Sequence, residues 1–224
     1  MRLLLVRHGQ TESNLQRRLD TEDPGLPLTE LGRQQAEELP DALAHEPVRA
    51  VYSSTLHRAE ATATPLARAL GLPLRTREGL REIPAGDLEM RNDDEAIEAY
   101  LTAAMAWGAG DLDAAVPGGE PGTSVLARYD KVVREAADGA DGDAVVLVSH
   151  GAVIRAWVAA RSDNVDADFA ARHWLSNTGV VALEGDPDTG WTVVTWAGDG
   201  IAELQAPGAP DGPAGDTVEP PGDG

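Results

Sequence analysis

Three short stretches hold the residues best suited to chemistry. Arg7-His8-Gly9 follows the apolar run LLLV (3–6), Ser53-Ser54 ends the run that begins AVY, with Arg58 four residues on, and His150-Gly151 follows AVVLVS (144–149). Two guanidiniums offer planar, forked donors that match phosphate oxygens. A neutral imidazole is a nucleophile able to hold a phosphoryl group covalently. Phosphoryl transfer asks for little beyond an in-line nucleophile and donors aimed at the equatorial oxygens. A glycine after each histidine lets the backbone turn sharply and approach a ligand closely. Singly, each residue has a plainer reading: a hydrogen-bonded structural histidine, a solvated arginine in a first helical turn. Their recurrence at three strand ends points to a histidine nucleophile in an arginine-lined phosphate pocket.

Those strand ends must converge for this to work. Apolar runs that read as strands occur at 3–6, 50–53, 144–149, 180–184 and 191–197, with a weaker one at 72–76. Helical spacing fills the gaps between them. One helix starts after Thr29, a suitable N-cap, and meets Pro40. Another follows the second strand, meets Pro65, where a kink or break is expected, and closes on Gly71. Further helices are expected in DDEAIEAYLTAAMAW, GTSVLARYDKVVREAA and AVIRAWVAAR. Strands alternating with helices imply an α/β domain with a largely parallel sheet and helices on both faces. The connection GDPDTG predicts a hairpin, hence an antiparallel edge. In such sheets ligands bind beyond the carboxyl ends of the strands. The domain is expected to span 1–204. Residues 205–224 are rich in Pro, Gly and Asp, and are expected to be disordered.

Composition narrows the function classes. The 224 residues suffice for one domain with a real core. There is no cysteine, which excludes disulfides, thiolate catalysis and zinc–sulfur sites. The apolar run before Arg7 is only four residues long, too short for a signal-peptide core, and no later run approaches a membrane span, so a cytoplasmic address is expected. The formal net charge of -20 repels nucleic acid and anionic membranes, so neither is expected as a partner. The expected partner is a small phosphorylated metabolite. Oligomeric state stays open, a homodimer included. The charge is uneven: residues 1–82 carry 11 Arg against 12 Asp plus Glu, whereas 85–143 carry 4 basic against 14 acidic residues. Anion binding is expected in the balanced first part, and the acidic segment suggests a neutral or cationic leaving group. His45, His57 and His173 show no metal-ligand spacing and read as solvent-facing or structural.

The chain resembles the histidine phosphatase superfamily, in its phosphoglycerate mutase-like branch. The resemblance is carried by LLLVRHGQTESN, LTELGRQQA, YSSTLHRAEATA, VVLVSHGAVIRA and NTGVVAL, which together span roughly residues 3–184. It implies a three-layer α/β/α sandwich. It also implies that His8 is the phosphorylated nucleophile, that Arg7 and Arg58 bind phosphate, and that His150 steadies the transferring group. Gln10, Asn14 and Gly151 fall in the phosphate-contacting loops. The proton donor is implied in a block beginning LRE, here GLREIPAGDLEM, which points to Glu82. A carboxylic acid suits that task, because the departing ester oxygen needs a proton. Read from the residues alone, Glu82 could instead pair with Arg81 or Arg77, and Glu12, Asp87 and Glu89 are alternative acids. The resemblance implies no metal and no cofactor.

Where many members of that branch carry a glycine–aromatic–acid–glycine run, this chain reads AGDLEMR, with Leu88 for the aromatic and Met90 for the second glycine. Glu120, in VPGGEPGTSV, is either a brace for the pocket or part of a plain loop. The leading expectation is a phosphatase for small phosphomonoesters. The alternatives are a cofactor-dependent phosphoglycerate mutase and a non-catalytic phospholigand-binding module. The few basic residues in 83–149 favour the phosphatase over the mutase.

Overall fold

Along β1 (Arg2–Arg7) the side chains alternate between two cores. Leu3 and Leu5 join one with Leu147 and Trp157; Leu4 and Val6 join the other with Leu39, Leu66 and Val146. Burial on both faces explains why this strand reads as a continuous apolar run. The computed structural model describes residues 1–138 and 143–200. The tail expected to be disordered lies outside the described residues.

A short α1 (Glu12–Leu15) follows β1, then α2 (Glu30–Ala42), β2 (Val48–Ser54), α3 (His57–Leu70), β3 (Leu74–Arg77), α4 (Asp94–Ala106) and α5 (Gly122–Ala137). β4 (Ala144–Ser149), α6 (Gly151–Arg161), α7 (Ala167–Arg172), β5 (Val180–Asp186), β6 (Gly190–Trp196) and the two-residue β7 (Asp199–Gly200) complete the described chain. The sheet order is β3-β2-β4-β1-β5-β6-β7. The first four strands in this order are parallel, and the last three are antiparallel to their neighbours. α2 and α3 cover one face, and α4 to α7 cover the other, which makes the three-layer sandwich. No helix among the described residues is long and apolar enough to cross a membrane.

Local signals set the boundaries. The Thr29 side chain accepts from Gly32 N at 3.0 Å and caps α2. Gly71, at φ 65°, closes α3 in the left-handed region. Of the kink or break expected at Pro65, the break does not occur, and α3 runs continuously through it. A proline removes a single backbone donor, and here the buried face formed by Ala59, Ala63 and Leu66 holds the helix together.

Strand register brings the site together. β4 lies between β2 and β1, with Ser53 opposite Val148 and Arg7 opposite Ser149. His8 N donates to Ser149 O at 3.0 Å. Ser54, His150 and His8 therefore emerge side by side at the carboxyl edge.

Candidate active site

His8 is only 4% exposed but lines a cavity of about 570 Å3 at this edge. Its Nδ1–H donates to Gly9 O at 2.7 Å, while Nε2 accepts from Arg58 Nε at 3.1 Å. The hydrogen-bond partners thus assign the proton to Nδ1 and the lone pair to Nε2. Burial, followed by the Arg58 and Arg7 cations, holds the His8 pKa well below its usual value of 6.5. The ring is neutral at pH 7, as a nucleophile must be.

The two arginines come from different elements. Arg7 ends β1 and donates through Nη1 to Leu175 O at 2.6 Å. Arg58 sits in the first turn of α3, is 3% exposed, and donates through Nη2 to Asp20 O at 2.8 Å. Its Nη1 is buried with no hydrogen-bond partner, and the nearest carboxylate oxygen, Oδ1 of Asp20, lies 3.8 Å away. That nitrogen packs against Gly25, where a Cβ would lie 2.2 Å from it, while Arg58 as a residue lines the cavity beside His8.

His150 is fully buried behind the His8 ring, with ring centroids 5.2 Å apart, rather than on the cavity wall itself. Its Nε2 and the Ser54 hydroxyl lie 2.8 Å apart, and its Nδ1 has no partner. Burial first, then Arg58 and His8, keeps its pKa well below 6.5.

Glu82 faces the cavity from the loop after β3. Its Oε1 accepts from Ile83 N at 3.0 Å and Val153 N at 2.8 Å, and its Oε2 from Ala152 N at 3.1 Å. The carboxylate thus caps the first turn of α6, which has no side-chain cap of its own. Arg128 clamps the backbone behind it, donating to the carbonyls of Gly79, Arg81 and Glu82 while pairing with Glu120. Glu120 is therefore a brace, acting through Arg128. Tyr100 donates to Ile83 O at 2.8 Å and steadies the same turn. Glu82 pairs with neither Arg81, which binds Thr55 and Asp23, nor Arg77, which binds Glu135. The alternative acids lie off the cavity wall: Glu12 and Asp87 are exposed, and Glu89 is locked onto Thr21 through its backbone N–H and hydroxyl.

Other sequence expectations meet mixed placements. Asn14 and Gly151 line the cavity. Gln10 does not: its side-chain oxygen accepts from the Thr29 hydroxyl at 3.0 Å, tying the loop after His8 to the start of α2. Its expected phosphate contact is replaced by this positioning role, because α2 packs against the Gln10 backbone. The acidic segment also fails to set the cavity's charge. Among the described residues between 83 and 143, only Ile97, Tyr100 and Leu101 line the cavity. Arg7, Arg17, Arg18, Arg58 and Arg155 do so, against two carboxylates, Asp20 and Glu82. The wall argues against a cationic leaving group. Met90 occupies a left-handed conformation, φ 60°, where the branch's usual glycine would sit without strain. Its neighbours strap this turn to the nucleophile loop, with Met90 N donating to Leu19 O and Leu19 N to Arg91 O.

Several contributors carry no signal that spacing alone reveals. Asn177 donates through Nδ2 to His8 O at 3.0 Å and Asn14 Oδ1 at 3.1 Å. Thr62 accepts from Gly9 N at 2.9 Å. Asp20 and Trp174 line the cavity from loops. The NTG stretch is visible in the sequence, but the partner of its asparagine is 169 residues away.

Comparison with known proteins agrees with this geometry. The profile of the histidine phosphatase superfamily (branch 1) matches residues 3–199. Glucosyl-3-phosphoglycerate phosphatase of Mycolicibacterium vanbaalenii is 34% identical over 216 residues, covering 87% of this chain and 93% of that protein. PE-PGRS family protein PE_PGRS11 of Mycobacterium tuberculosis is 33% identical over 219 residues; the match covers 91% of this chain but only 38% of that longer protein. Among solved structures, a mycobacterial glucosyl-3-phosphoglycerate phosphatase in complex with VO3 aligns with a TM-score of 0.74 at 30% identity, covering 88% of this chain and 99% of that one. With its strand-end histidines and arginines gathered at one cavity and the profile matched across nearly all described residues, the chain belongs to the histidine phosphatase superfamily, branch 1.

Proposed function

We propose that the protein hydrolyses a small phosphomonoester in two steps. In the first, Nε2 of His8 exchanges the hydrogen bond it accepts from Arg58 for a bond to phosphorus, the P–O ester bond breaks, and the departing alkoxide takes a proton from Glu82. Arg7 and Arg58 hold the non-bridging oxygens. With the Ser54 hydroxyl donating to Nε2 of His150, the unpartnered Nδ1 of His150 carries a proton and, from behind the His8 ring, presents a positive dipole toward the transferring group without touching it. In the second step, water attacks the phosphohistidine and gives its proton to the Glu82 carboxylate. Inorganic phosphate leaves and His8 is restored. The scheme is written without a metal, with guanidinium groups neutralising the oxygens.

The observation that carries the reading is a neutral His8, its Nε2 lone pair held by Arg58, in a cavity that Glu82 also lines. Glu82 Oε1 takes two amides and Oε2 one, which holds the carboxyl group in place at the cavity wall. The named activity of the Mycolicibacterium relative makes glucosyl-3-phosphoglycerate the first substrate to try. The test is rapid quenching during turnover. Wild-type protein is expected to carry an acid-labile phosphoryl label on His8, and His8→Ala to lose the label and at least about 10³-fold in kcat. Turnover by His8→Ala near the wild-type rate would overturn the scheme. Phosphate release without an acceptor separates this reading from a mutase, which would interconvert phosphoglycerates in dependence on bisphosphoglycerate.

A further inference from the structure

Three cations of the cavity, Arg17, Arg18 and Arg155, have no task in this scheme, and of these Arg155 alone is buried. Arg155 lies on α6 four residues beyond Gly151, one helical turn (about 5.4 Å) further along the same cavity-lining face. It is 2% exposed, and no carboxylate pairs with it among the described residues. Its Nε donates to Ala170 O at 2.7 Å and its Nη2 to Ala171 O at 3.1 Å, both in the last turn of α7. Its guanidinium lies 4.7 Å from the centroid of the Trp174 ring.

These contacts fix the orientation of the fork but supply only partial charges. Burial, then the nearby Arg7 cation, pulls the Arg155 pKa down to about 10, with Glu82 opposing. A buried cation beside a second cation is costly unless an anion joins them. A rivet between α6 and α7 would explain the carbonyl contacts alone. It would not explain why the guanidinium reaches the cavity wall, nor why Trp174, 41% exposed, lines the cavity beside it. The other carboxylate of the wall does not answer Arg155: Asp20 binds the Ser13 hydroxyl and Leu26 N and faces Arg58.

Deepening the phosphatase reading, on which it rests, we propose that Arg155 is a specificity-determining residue that receives a second anionic group on the leaving alcohol, a carboxylate or a second phosphate, about one helical turn from the scissile phosphate. Trp174 braces the guanidinium and covers the bound alcohol. The substrate class is then a short-chain phosphomonoester bearing a further anion, not a plain alcohol phosphate.

The test measures phosphate release by the full chain from two pairs of esters. 3-Phosphoglycerate and glycerol 3-phosphate differ in a carboxylate; 1,3-propanediol bisphosphate and 3-hydroxypropyl phosphate differ in a phosphate. In one pair the anion-bearing ester is expected to have a kcat/KM higher by roughly 10- to 100-fold, mostly through KM, and the favoured pair identifies the group. Arg155→Gln is expected to bring that ratio close to one, and Arg155→Lys to restore part of it. Equal kcat/KM within both pairs for the wild type overturns the inference, whether or not the variants fold, and leaves the phosphatase reading standing. A preference that survives in folded Arg155→Gln overturns the assignment to Arg155. No release from any of the four esters counts against the phosphatase reading itself, and the inference falls with it.

Discussion

His8 and His150 are buried within 5.2 Å of each other and beside Arg58, so protonating either would add a charge where water is excluded. Both folded pKa values lie below the unfolded value of 6.5. Above pH 6.5 neither state binds the proton, and this contribution to stability is fully present. As pH falls below 6.5, the unfolded chain takes up a proton at each site and the folded protein does not. Stability then falls by up to about 1.4 kcal/mol per pH unit for each histidine. Denaturant titrations between pH 7 and pH 5.5 should show a shallower loss in His150→Gln than in wild type, and equal slopes would mean that His150 is protonated in the fold. Asn177 acts at the same scale by holding the His8 carbonyl and Asn14 together. Asn177→Ala removes two hydrogen bonds that fix the nucleophile's loop, and kcat/KM should drop about tenfold; an unchanged value would assign those bonds to folding alone.

Between elements, the site depends on how closely α2 approaches the loop after β1. A Cβ on Gly9 would lie 2.6 Å from Gly32 O, and one on Gly32 would lie 2.1 Å from Gln10 O. Both obstacles are backbone, so neither can swing aside. Gly32→Ala should therefore destabilise the protein by about 1–3 kcal/mol through overpacking. It should also lower kcat, because Gln10 and Thr29 would separate and the His8 loop would shift. A thermal melt with parallel kinetics checks both effects, and wild-type values in each would show that the loop yields freely. A similar economy governs Gly151, where a Cβ would sit 3.2 Å from Arg7 Nε. Gly151 keeps α6 close enough for Glu82 to cap its amides while Arg7 passes alongside.

At the scale of the whole molecule, a net charge of -20 surrounds a cavity lined by five arginines and two carboxylates. An anionic substrate meets repulsion at long range and attraction only inside. Salt screens exposed charges beyond a Debye length but affects partly buried pairs much less. Raising ionic strength from about 10 mM to about 150 mM should therefore increase kcat/KM for an anionic ester, opposite to the trend for electrostatically steered enzymes. A falling kcat/KM over that range would show that the cavity's own field governs approach.

Strand periodicity, the Thr29 cap and the Gly71 terminus were legible in the chain because they depend on neighbours a few residues away. So was the cluster of Arg7, His8, Arg58 and His150, because parallel strands align their carboxyl ends and each residue sits at such an end or in the first helical turn after one. The survival of α3 through Pro65 was not, since buried packing outweighs one missing donor. Nor were the diversion of Gln10 to Thr29, the clamp of Arg128 behind Glu82, or the place of Arg155 in the cavity. The acidic segment misled for the same reason: among the described residues none of its carboxylates lines the cavity, whereas Ile97, Tyr100 and Leu101 do. Residue type and spacing determine which chemistry a chain can attempt. Which side chains share one cavity, and which are spent on holding it open, depends on contacts between distant segments that only the folded packing specifies.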